Sequence, residues 1–138
     1  MELQSFDTRL ARLAHEARTL PVLARLEQAN KVLGEQDVAR VRLDAAVADQ
    51  RRELTRLEDD IAKVVARRDR HLERLGSGGV PAKEVQAIQA EVDHLQARQS
   101  VLEDEQLESM EAAEQVESER QAILDRLAAI AADISDSE

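Results

Sequence analysis

The sequence predicts an all-α protein: a long antiparallel coiled-coil hairpin with a short N-terminal helix packed at its open end. Three observations carry that expectation. Apolar residues recur every seven positions through two long segments. Three of the four glycines and one of the two prolines collect between those segments, in Leu75-Gly76-Ser77-Gly78-Gly79-Val80-Pro81-Ala82. One Phe, with no Trp and no Tyr, leaves too few bulky side chains for a broad globular core. Sustained heptads favour a left-handed coiled coil, and a short connection makes its two strands antiparallel.

The first element spans residues 1–20. Leu3, Phe6, Leu10, Leu13, Ala17 and Leu20 fall at alternating spacings of three and four, a stripe on one helix face. Thr19-Leu20-Pro21 is read as a break, with Pro21 opening the next helix. A helix of about 17 residues is marginal alone in water. It is therefore expected to fold back on the open end of the hairpin, with three helices there and two toward the turn.

The first arm covers residues 21–75. Leu26, Leu33, Val47, Leu54, Ile61 and Leu75 share one heptad position, and Leu43, Leu57 and Val64 the companion position. Arg40 and Arg68 interrupt one row; Gln36, Gln50 and His71 interrupt the other. The two arginines are candidate register-setting positions, or long stems that carry their charge out to solvent.

Residues 76–81 form the turn. Glycine past a helix end supplies a left-handed cap, and proline suits the first turn of the helix that follows. The second arm with its tail covers residues 82–138. There Ile88, Leu95, Leu102, Val116, Ile123 and Ile130 recur every seven residues with Ser109 as the gap, and Val85, Val92, Leu127 and Ile134 supply much of the second row. At about 1.5 Å per residue each arm would run roughly 80 Å.

Charge supports the pairing. Residues 82–138 carry 4 basic and 15 acidic side chains, whereas residues 21–75 carry 12 and 11. Residues 103–119 hold eight carboxylates and no cation. Folding about Gly78 sets this span against Arg40, Arg42, Arg51, Arg52 and Arg56, so the asymmetry reads as mostly internal complementation.

Ala82-Lys83-Glu84-Val85-Gln86-Ala87-Ile88-Gln89-Ala90-Glu91, then Leu95, Arg98-Gln99-Ser100 and Leu102 through Glu111, follow the glycine-rich turn. This order resembles the hairpin signature of the bacterial coiled-coil proteins that end in a four-cysteine zinc ribbon. The opening Leu3-Gln4-Ser5-Phe6-Asp7-Thr8-Arg9-Leu10 and the Leu20-Pro21 step are similar to that family too. The resemblance implies a helical hairpin carrying a small zinc module, often labelled nucleic-acid binding. Some members are linked through protein contacts to transcription factors or to secretion and flagellar machinery. Two departures stand out: Ala90 replaces a common His, and the Cys-x-x-Cys pairs are absent. A truncated or processed product is expected, with zinc only in a missing C-terminal ribbon and no cofactor in these residues.

Composition narrows the function classes. No cysteine means no disulfide and no thiolate metal site. No apolar run approaches the roughly 18 residues of a membrane span, so no membrane partner is expected. The start, Met1-Glu2-Leu3-Gln4, has no basic leader or apolar signal core, and a cytoplasmic location is the expectation. A net charge of −10 opposes non-specific binding to nucleic acid.

Chemistry-bearing residues are scattered. His15, His71 and His94 lie on three expected helices without a second His four residues on, so packing or surface roles outweigh metal ligation. Asp59-Asp60 and Glu103-Asp104-Glu105 are adjacent residues, which diverge around a helix axis. Gly76-Ser77-Gly78-Gly79 lacks the strand and Lys-Ser/Thr ending of a P-loop. No catalytic residue is assigned, and no metal site.

Two surfaces remain. Lys63, Arg67, Arg70 and Arg74, with Arg68 among them and Lys83 across the turn, make a basic tip able to meet phosphates or an acidic protein surface. It has no aromatic side chain for base stacking. Glu103, Asp104, Glu108 and Glu111 make a candidate acidic helix face. The expected function is a non-enzymatic interaction or adaptor module with a protein partner, as monomer or weak homodimer. The alternative is RNA or DNA binding by the basic tip together with the missing ribbon.

Overall fold

The computed structural model describes residues 2–137, with side chains from 7 to 136. It contains α1 (Glu2–Gly76) and α2 (Ala82–Ser137), packed as an antiparallel hairpin with no strand among the described residues. α1 is rich in Ala, Leu and Arg and α2 in Ala, Glu and Gln, residues that lose little on entering a helix.

The turn departs slightly from its expected chemistry. Gly76 is still helical, and the left-handed residues are Gly78 (φ 75°) and Gly79 (φ 76°). A Cβ on either would meet nothing within 4 Å, so backbone conformation, not crowding, calls for glycine there. The end of α1 is closed by Ser77, whose N–H donates to the Glu73 carbonyl (3.0 Å) and whose Oγ donates to the Arg74 carbonyl (2.9 Å). Pro81 precedes α2 rather than lying in its first turn. Its carbonyl accepts from the N–H groups of Glu84 (2.9 Å) and Val85 (3.0 Å), the N-cap role.

The chain divides into two compact units. In the unit formed by residues 44–118, Leu57, Ile88, Val92, Leu95 and Leu102 are buried. Leu57 and Leu102 are each only 1% exposed, and full burial of such a side chain contributes about 1.5–3 kcal/mol. Leu54, Ile61 and Val64 are half-buried beside them, so both expected rows face α2.

In the unit formed by residues 1–43 and 119–138, Ile123 is buried and Leu26, Leu33, Leu43, Leu127, Ile130 and Ile134 are half-buried. The separate helix expected over 1–20 is not present. α1 runs unbroken through Pro21. Proline removes the N–H that would have met the Ala17 carbonyl. Nearby side chains add hydrogen bonds to the carbonyls just before Ala17. Thr19 Oγ1 donates to His15 (2.9 Å) and Glu16 (3.2 Å), and Arg18 Nε donates to Ala14 (3.2 Å).

Continuity through Pro21 also decides where the first stripe points. Leu10, Leu13, Ala17 and Leu20 lie two positions out of phase with the seam rows of residues 26–43. At about 100° per residue, that turns them to the far side of the same helix. Leu10, Leu13 and Leu20 are 49%, 61% and 64% exposed, Thr8, Arg12 and His15 on the continued seam rows are exposed as well, and the expected third layer does not form. Leu3 and Phe6 of that stripe lie outside the described side chains.

Candidate interaction surfaces

The basic tip is built where α1 approaches the turn. Arg67 and Arg74 flank the seam and reach across it, to Glu91 at 3.3 Å and Glu84 at 3.2 Å. Arg68 lies on the seam row. Its Nη1 donates to Gln99 Oε1 at 2.7 Å and its Nη2 to Asp69 at 2.9 Å, so it crosses the seam and also reaches solvent. Lys63, Arg70 and Lys83 are exposed and have no ion pair or hydrogen bond among the described residues. Lys63 and Arg70 are one heptad apart, displaced from the two flanking arginines. The structure thus divides the five candidate tip residues: two pair with α2 and three are open.

The acidic face behaves differently from its expectation. Arg52 pairs with Asp49, and Arg56 with Glu53 (2.6 Å) and Asp60 (2.9 Å), all along α1 itself. Partners three or four residues away need less side-chain ordering than partners on another helix. In the other unit Arg40 pairs with Asp37 at 3.0 Å. Arg52 and Arg56 thus each have a carboxylate partner on their own helix, and Glu105 of α2 also acts on Arg56.

Glu103 accepts a hydrogen bond from Gln99 Nε2 at 2.9 Å. Asp104, Glu108 and Glu111 are exposed and have no ion pair or hydrogen bond among the described residues. Their spacing of four and three places them on one face of α2, away from buried Leu102 and Ser109. Leu107 and Met110 stand among them, 60% and 46% exposed. These two were not singled out from the sequence. The signal was there: both fall off the two seam rows, inside a run of carboxylates.

The Glu53–Arg56 pair on α1 shifts both of its groups. The Arg56 guanidinium, hydrogen-bonded to Glu53, holds that carboxyl below the usual carboxylate range. The same bond, with Asp60 and Glu105 nearby, pushes the Arg56 group up.

Polar groups also enter the seam. Ser109, itself buried, approaches Gln50 Oε1 at 3.4 Å. His71 Nε2 and, in the other unit, Gln36 Oε1 are enclosed without a hydrogen-bond partner among the described residues. His15 and His94 are exposed. No group of three or more His, Asp or Glu side chains converges to hold a metal among the described residues. No helix among them is long and apolar enough to cross a membrane.

A shallow groove lies in each unit. Arg25, Gln28, Ala29, Val32, Ile130 and Asp133 line the first. Val47, Gln50, Leu54 and Ala113 line much of the second. Neither gathers a nucleophile, a base and an oxyanion donor.

A family described as the CT398-like coiled coil hairpin domain matches residues 3–138. The chain belongs to that family. It is similar to two uncharacterised proteins of Mycobacterium tuberculosis, MT2288 of strain CDC 1551 / Oshkosh and Rv2229c of strain H37Rv. Each is 36% identical over 138 residues, covering 98% of this chain and 55% of the relative. A solved structure from Mycobacterium smegmatis is similar with a TM-score of 0.75 and 31% identity, over 99% of this chain and 56% of that one. The chain thus spans about half the length of the relatives it matches. The resemblance expected from the residues after the turn holds for the coiled-coil hairpin.

Proposed function

We propose that this hairpin is a non-enzymatic interaction module whose α2 face binds a basic, amphipathic helix of a partner protein. The observation that carries the reading is the set Asp104, Glu108 and Glu111, carboxylates without partners that surround exposed Leu107 and Met110. Helix faces recognise other helices through a few apolar anchors within a charged rim, and complementary charge speeds their encounter. Links to transcription factors or to secretion and flagellar machinery belong to this proposal. The probe is a synthetic Leu/Lys amphipathic helix, followed by fluorescence anisotropy at low and moderate salt. The hairpin should bind it, and Asp104→Lys with Glu108→Lys and Glu111→Lys should weaken binding about tenfold or more. Equal binding by the triple variant would sink the reading.

A second reading has its own support in Lys63, Arg70 and Lys83, the open cations of the tip. There the tip would contact RNA phosphates, with affinity added by a zinc ribbon outside these 138 residues. Single-stranded RNA should then bind with a steep salt dependence that Lys63→Glu, Arg70→Glu and Lys83→Glu remove. The net charge of −10 and the lack of aromatic side chains at the tip favour the protein-binding reading.

A further inference from the structure

We propose that the far-side stripe of α1, Leu10, Leu13, Ala17 and Leu20, pairs antiparallel with the same stripe of a second copy of this chain. The stripe has the heptad spacing of a coiled-coil seam, yet its leucines are 49–64% exposed. Residues 7–18 are exposed on every face, so the stripe is open in the hairpin.

The flanking charges select the occupant and its direction. Arg9 and Glu16 lie on one flank of the stripe, seven residues apart, and neither side chain has an ion pair among the described residues. About 10 Å along one helix separates them, too far to pair with each other. In an antiparallel alignment Leu10 faces the second copy's Leu13, and Leu13 faces its Leu10. The same register sets Arg9 against the second copy's Glu16, and Glu16 against its Arg9. Two opposite-charge pairs form by symmetry, as a self-complementary two-fold contact requires. A parallel alignment instead sets Arg9 opposite Ala14 and Glu16 opposite Pro21, with no pair at either place. Leu3 and Phe6 continue the two rows in sequence, extending the heptad pattern past Leu10.

Sedimentation equilibrium of the full 138-residue chain at low salt tests the pairing. A concentration-dependent monomer–dimer equilibrium is expected. Leu13→Glu should leave only monomer, with helicity and melting otherwise unchanged because Leu13 is not part of the hairpin seam. Arg9→Glu alone and Glu16→Arg alone should each weaken dimerisation several-fold, and the two together should restore it. A wild-type chain that stays monomeric at the highest concentration overturns the proposal. So does a dimer indifferent to Leu13→Glu, or a double swap that associates no better than the single ones.

Discussion

Ser109 Oγ lies 3.4 Å from Gln50 Oε1, a hydroxyl set into the row that Leu102 and Val116 otherwise make apolar. That separation is long for an O–H···O bond, so its contribution falls at the weak end of the usual range. The shallow groove lined by Val47, Gln50, Leu54 and Ala113 supplies room beside it. Ser109→Leu is therefore expected to stabilise the hairpin, by about 1–2 kcal/mol from added apolar burial. Urea unfolding followed by circular dichroism measures this. A lower midpoint would mean that the serine fits a space too tight for four carbons.

Leucines on the two faces of α1 should respond in opposite ways. Leu57 is 1% exposed against α2, and Leu57→Ala is expected to cost about 2–5 kcal/mol through lost burial and a residual cavity. Leu13 is 61% exposed, and in dilute monomer Leu13→Ala should change stability by no more than about 0.5 kcal/mol. Matched urea melts of the two variants compare them directly. Equal losses would show that both faces are buried.

The heptad rows explain how much was legible in advance. Seam residues repeat strictly, so Leu54, Leu57, Ile88, Leu95 and Leu102 announced both the arms and their buried face. Gly78 and Gly79 announced the turn because only their backbones take positive φ without strain. Pro21 misled. Proline removes one N–H and can sit inside a helix as well as open one, and here α1 continues through it. Charge was a partial guide. Counting signs across the fold could not reveal that Arg52 and Arg56 have carboxylates within three residues on their own helix. The open face at Asp104, Glu108 and Glu111 follows from that local competition.

Glu53 gives the hairpin a small, defined acid dependence. Its hydrogen bond to Arg56 lowers the folded-state pKa below the unfolded one. A group so shifted adds stability above its unfolded pKa, and that contribution is lost as pH falls through the folded value. Glu53→Gln should therefore be less stable than wild type at about pH 7, with the gap shrinking as pH falls through about 4 toward the folded value. Both groups are exposed, so the effect is modest and shrinks with salt. Urea melts of the two proteins at both pH values test it. A gap that persists at low pH would assign the loss to packing rather than to the ion pair.

The turn offers the sharpest separation of backbone from side-chain effects. Gly78 and Gly79 have φ near 75°, and nothing stands within 4 Å of where a Cβ would project. Gly78→Ala should thus cost about 1–2 kcal/mol from left-handed backbone strain alone. Gly78→Asn should cost less, because asparagine visits that region more readily. The D-alanine analogue, made by semisynthesis, should be at least as stable as wild type, since its Cβ suits positive φ and restricts the unfolded chain. Thermal melts of the three variants give the order. If D-alanine proved as costly as L-alanine, an unseen steric contact, not the sign of φ, would account for glycine at this position.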